Sequence, residues 1–140
     1  MPDLDKTGVE KGCKELWTAF QGVLSWRWDS RFETVLAELG VGKKADVRAI
    51  LERHLPMMWD ASNIANAPDS LRAIHNLLGG LREGQLLFTS DAQGDAFIFC
   101  AWWPWGDGKT ISIRIAPCYK QPSDSEKVEK ARRLKGWFRM

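Results

Sequence analysis

Residues 96–103 run apolar without a break, with Phe97, Phe99 and Trp103 at alternate positions and Ile98, Cys100 and Trp102 between them. Turn formers bound the run, Asp91 to Gly94 before it and Gly106 to Gly108 after it. A run this short, rich in aromatic and β-branched residues, reads as a strand rather than a helix. Successive side chains on a strand point to opposite faces, so a strand apolar on both is central and covered on both sides. The rest of the chain must supply that cover.

Residues 85–90 and 109–116 flank the run and read as its neighbours. Short loops make neighbouring strands antiparallel, which predicts a three-stranded meander over about 85–116. In the third strand Ile111, Ile113 and Ile115 alternate with Ser112 and Arg114. A two-residue turn at Asp107-Gly108 places the isoleucines on the face of Trp102, and a three-residue turn places them on the face of Trp103. In either register one of these two tryptophans shares a face with Ser112 and Arg114. That tryptophan is the candidate for exposure, with the Arg114 guanidinium over its ring. Cys100 and Cys118 fall out of step in both registers and are not expected to pair. The third strand, ending at Pro117, is expected to be a sheet edge.

The first half reads as helices. Cys13, Trp17, Phe20 and Leu24 recur at helical spacing, and Ser30 with Glu33 forms a capping-box pattern ahead of Phe32, Val35, Leu36 and Leu39, with Gly40 as the stop. A third helix is expected from about Ala45 to Leu55, ended by Pro56, and a fourth from Pro68 through Leu78, closed by Gly79-Gly80. Residues 57–67 have no clear period. Beyond a polar linker at 121–125, residues 126–138 form a basic helix with Val128, Ala131, Leu134 and Phe138 as its apolar stripe. The expectation is one α+β domain over 1–140: about four N-terminal helices, the meander and the C-terminal basic helix. Its ends, 1–8 and 138–140, are expected to be flexible.

Charge narrows the function classes. The net charge of +2 gives no overall polyanion-binding character. The excess gathers at the C-terminus, where Lys127, Lys130, Arg132, Arg133, Lys135 and Arg139 face only Glu129. Three scattered cysteines suit a reducing compartment, and with no signal peptide or membrane span in the sequence the expected location is cytoplasmic.

No pattern of catalysis emerges. His54, His75 and the cysteines lack metal-ligand spacing, so neither metal nor cofactor is expected. Gly40 to Lys44 lacks the spacing of a phosphate loop and sits between expected helices. Asp60, Asp95 and Asp107 fall in loops, where aspartate usually shapes the turn itself. Residues 31–55 can be read as a helix-turn-helix, although Asp46 and Glu52 offset Lys43, Lys44, Arg48 and Arg53.

Eight tryptophans against one tyrosine remain to be explained. Tryptophan and arginine dominate interface hot spots, and Trp102, Trp103, Trp105 and Arg114 cluster at one end of the meander. The first expectation is a non-catalytic protein-binding domain acting through that patch, with a homodimer through the sheet edge as a variant. The alternative is nucleic-acid binding through Lys127, Lys130, Arg132, Arg133 and Lys135 with stacking from the sheet. A small enzyme ranks third.

Overall fold

The structure is a computed structural model that describes residues 8–120 and 122–140. Its elements run α1 (Val9–Phe20), β1 (Arg27–Asp29), β2 (Thr34–Gly40), α2 (Lys44–His54), β3 (Met57–Trp59), α3 (Asp69–Leu77), β4 (Leu86–Thr89), β5 (Ala96–Pro104), β6 (Thr110–Tyr119) and α4 (Asp124–Trp137). The strands form one antiparallel sheet in the order β1-β2-β6-β5-β4-β3.

The expected three-stranded meander is therefore half of a six-stranded sheet, and the helices are interspersed with strands rather than gathered at the N-terminus. The largest difference lies at 30–39, where the capping box and helix are replaced by the turn and second arm of the β1–β2 hairpin. Two local causes are visible. Asp29 Oδ1 accepts a hydrogen bond from Arg31 N at 3.1 Å, and Glu33 turns the chain with a φ of 55°. The third cause is distant. β2 pairs with β6 from Val35 opposite Ile115 to Gly40 opposite Thr110, which buries Val35, Ala37 and Leu39 on one face and Leu36 on the other. A strand buried on both faces loses its alternation and mimics helical spacing. With 34–40 in a strand, no helix-turn-helix exists at 31–55.

β6 is interior for the same reason. It is not the expected edge; the edges are β1 and β3, three residues each. Proline in a central strand removes a ladder donor, and its position here explains why it is tolerated. Ile98 donates to Ser90 Oγ at 2.9 Å and accepts from Ser90 N at 3.1 Å, so both its backbone groups point toward β4. Pro117, opposite Ile98, then turns its nitrogen away from β5, toward the flank that β2 has left after Val35.

The register is the one that pairs Trp102 with Ile113 and Trp103 with Ser112. Trp105 N donates to Thr110 O at 2.8 Å across the turn, where Asp107 Oδ1 accepts from Lys109 N and Thr110 N. The isoleucine face therefore carries Trp102, Cys100 and Ile98, and the arginine face carries Trp103, Ala101 and Phe99.

Helices α1, α2 and α4 cover the isoleucine face. α1 comes closest at Gly12, where a Cβ would lie 2.6 Å from Ile98 Cδ1. From α2, Arg48 lies over the rings of Phe88 and Trp102. α4 opens with a full capping box, Ser123 and Glu126, and buries Leu134, Trp137 and Phe138. Val128, expected in its apolar stripe, is 72% exposed. Phe138 is buried with its ring 4.9 Å from Trp26, while residues 1–7 of the expected flexible N-terminal end lie outside the described part. α3 covers part of the arginine face. Among the described residues, no helix is long and apolar enough to cross a membrane.

Candidate functional site

The β1–β2 turn does more than join strands. Asp29 Oδ2 accepts from Arg114 Nε at 2.7 Å and from Thr34 Oγ1 at 3.5 Å, tying the turn to the arginine face of β6. Phe32 is thereby laid edge-on against Trp103, ring centroids 5.9 Å apart. The Arg114 guanidinium carbon sits 4.4 Å from the Trp103 centroid and 5.5 Å from that of Phe32. Planar, weakly hydrated guanidinium suits such stacking better than an ammonium would. Trp103 Nε1 is closed to solvent and meets no acceptor among the described residues.

A second wall faces this one. After α3 the chain turns through Gly79 and Gly80, both at a φ of 89° that side chains with a Cβ rarely adopt. His75 fixes the turn, its carbonyl accepting from Gly80 N at 2.9 Å and its Nε2 from Leu81 N at 3.1 Å. Gln85 Oε1 accepts from Arg82 N at 2.9 Å, which closes the next loop. Between the walls lies a cleft of about 390 Å³ lined by Arg31, Phe32, Arg82, Gln85, Trp103 and Arg114, with Leu78 to Gly80.

Its electrostatics are one-sided. Arg114 is neutralised by Asp29, and both are largely buried. Arg31 lies over the Phe32 ring at 4.8 Å, and neither Arg31 nor Arg82 has a carboxylate partner among the described residues. Two uncompensated guanidinium groups therefore flank a ring cluster, an arrangement suited to carboxylate or phosphate.

The four residues of the expected patch are divided. Trp103 and Arg114 meet in the cleft. Trp102 is on the other face, 1% exposed in the core. Trp105 is 46% exposed in the turn beyond β5 and does not line the cleft. Arg31, Phe32, Arg82 and Gln85 escaped sequence reading because loops bring them in from distant positions. The one available signal was Asp29 two residues before Arg31, the spacing of a side-chain-closed turn.

Much of the basic C-terminus is engaged in the fold. Arg132 and Arg133 both bond Glu129, whose carboxyl their hydrogen bonds hold down at about 2. Lys135 sits over Trp28 at 4.6 Å and Arg139 over Trp17 at 4.7 Å. Lys127 is exposed, and Lys130 is half-buried on the flank toward Cys118.

The remaining candidates are scattered. His54 lies 4.0 Å from Glu15 on the opposite side of the sheet from the cleft, and His75 is occupied as described. A strand, not a helix, precedes Gly40 to Lys44, yet the phosphate-loop spacing is still absent. Among the described residues no group of His, Cys, Asp and Glu could hold a metal ion. All three cysteines are buried and none is in a disulfide, and burial pushes the Cys118 thiol up to about 11 and Cys100 higher still. Native protein at mildly alkaline pH should therefore give no fast thiol reaction with a disulfide reagent, and all three should react after denaturation. A rapid native titre would contradict this burial.

Comparison with protein-family models, with curated proteins and with solved structures finds no match to this chain.

Proposed function

We propose that the protein is a non-catalytic binding domain that engages another protein through the arginine-lined cleft around Trp103 and Arg114. The observation that carries the reading is the pair Arg31 and Arg82, cationic and without carboxylate partners among the described residues, lining one cleft with the Phe32–Trp103 ring cluster. Rigid aromatics and guanidinium groups give affinity at low ordering cost, which is why they dominate interface hot spots. Leu77, 64% exposed beside the cleft on α3, offers further apolar contact. Buried cysteines and a structural His75 support the non-catalytic part, and the absence of a disulfide among the three cysteines fits a reducing, cytoplasmic setting.

Nucleic-acid binding through α4 is the weaker reading, since Arg132, Arg133 and Lys135 are already engaged within the fold. The test uses the protein as bait in a lysate of its source, comparing wild type with Arg31→Ala/Arg82→Ala. Both side chains are exposed, so the fold should survive. The variant is expected to lose its specific partners by about tenfold or more, as when two charge-assisted bonds are removed. An unchanged set of captured proteins sinks the site.

A further inference from the structure

The cleft does not end at Leu78. A hollow of about 220 Å³ shares Phe32 and Leu78 with it. A third, of about 480 Å³, shares Ile74, Leu77, Pro122 and Lys130 with the second. The shared walls make a single groove between α3 and the first turns of α4, passing Phe99, Ala116 and Cys118 of the arginine face.

Charge and apolarity alternate along it. One end carries Arg31, Arg82 and Arg114, the other carries Lys120 and Lys130, and Lys127 lines the middle. The middle is floored by Phe99 and Ala116 and walled by Ile74 and Leu77, the latter 64% exposed at the lip. Among the described residues the carboxylates in the lining are Glu33 and Asp69, and Asp69 is paired with Arg72. With the Arg114–Asp29 and Arg72–Asp69 pairs set aside, five cations face one carboxylate, Glu33, a far stronger bias than the chain's net charge of +2.

Lys130 adds a second observation. It is half-buried and has no salt bridge among the described residues. Burial pulls its ammonium pKa down, while the fields of Cys118 and Glu33 oppose that. A partly desolvated cation gains more from an incoming carboxylate than an exposed lysine does.

We propose that the groove takes an extended segment of the partner protein, acidic on both sides of an apolar stretch. This rests on the protein-binding reading above and names the chemistry of the occupant. Nucleic acid fits less well. The walls are aliphatic, Phe99 in the floor is buried, and the Phe32 and Trp103 rings already pack on each other and on Arg114, which leaves little free ring face for a base.

The probe is a short labelled peptide with aspartate and glutamate at both ends of a leucine–phenylalanine centre. It is titrated into the full chain by fluorescence anisotropy, with the Trp103 indole resonance, assigned through Trp103→Phe, followed on isotope-labelled protein. Comparison probes are the charge-inverted peptide, the acidic peptide with a glycine–serine centre, and a single-stranded oligonucleotide. The acidic-apolar peptide should bind and shift the Trp103 resonance. Affinity should fall about tenfold or more for each comparison peptide, and likewise for Lys130→Met and for Arg31→Ala/Arg82→Ala. Lys127→Ala, at an exposed position, should weaken binding severalfold and guards against a folding defect in Lys130→Met.

If Arg31→Ala/Arg82→Ala weakens the peptide while Lys127→Ala and Lys130→Met do not, the groove inference falls and the cleft reading stands. Absence of peptide binding also overturns the inference, and the capture comparison then decides the cleft reading independently. Tighter binding of the oligonucleotide overturns both.

Discussion

Trp102→Ala should cost about 3–5 kcal/mol, the range for deleting a large buried aromatic. The side chain is 1% exposed, at the centre of the isoleucine face. It stands opposite Leu86 on one neighbouring strand and Ile113 on the other, edge-on to Phe88, with the Arg48 guanidinium at 6.0 Å. Three elements lose contact when it is removed, and α2 cannot follow the gap inward without breaking its packing on α1. Domains of this kind have about 5–15 kcal/mol in all, so the variant should be partly unfolded at modest denaturant. Trp105→Ala, at an exposed position three residues along, should change stability by about 0.5 kcal/mol or less. Equilibrium unfolding of the two variants measures the contrast. A Trp102→Ala midpoint close to wild type would mean that this residue is not in the core.

The second large effect concerns Asp29 and Arg114. Their side chains are 11% and 17% exposed, and the bond between them ties the β1–β2 turn to β6. Asp29→Asn strips the guanidinium of its counter-charge: the amide Oδ1 can still accept from Arg114 Nε, but Nδ2 then faces the Arg31 N–H that Asp29 Oδ1 accepts from, and the remaining acceptor is Ser112 Oγ at 3.5 Å. A fully buried cation stripped of its partner costs about 3–5 kcal/mol; residual solvent access reduces the expectation here to about 2–3 kcal/mol. Arg114→Met should be milder, because the carboxylate keeps Arg31 N and Thr34 Oγ1 as donors. Combining the two substitutions should recover about 1–2 kcal/mol of the summed loss, since neither then strands a charge. Strict additivity in that cycle would show that the pair is not coupled. The same variants should loosen Phe32 from Trp103 and so weaken binding at the cleft, even though neither residue is one of the uncompensated cations.

Legibility in the sequence followed the distance over which each element is decided. α1, α2, α3 and α4 have their own apolar faces, and the short turns around β5 fixed its neighbours while leaving two registers open, of which the structure takes the one pairing Trp102 with Ile113. β2 was lost because its partner is β6, far along the chain, and because Val35, Leu36 and Leu39 fit a helical stripe as well as a strand buried on both faces. β3 is three residues long and defined by β4, with Trp59 donating to Thr89 Oγ1 at 3.0 Å. At the site, strand parity sufficed to place one tryptophan beside Arg114. The same parity argued against grouping Trp102 with Trp103, since adjacent strand residues cannot share a face. Arg31 and Arg82 could not be found in this way, because neither lies on an element whose period says where it points.

The sheet order has a consequence for synthesis. β3 to β6 are consecutive neighbours and can zip together as they emerge, but β2 must wait for β6. Until then Val35, Leu36, Ala37 and Leu39, all buried in the finished fold, have no partner strand apart from the short β1. Closing so long a loop is slow compared with forming a hairpin, so the β2–β6 ladder sets the pace of folding. On the ribosome the amino-terminal third of this chain therefore waits, sticky and incomplete, for the carboxy-terminal third to appear.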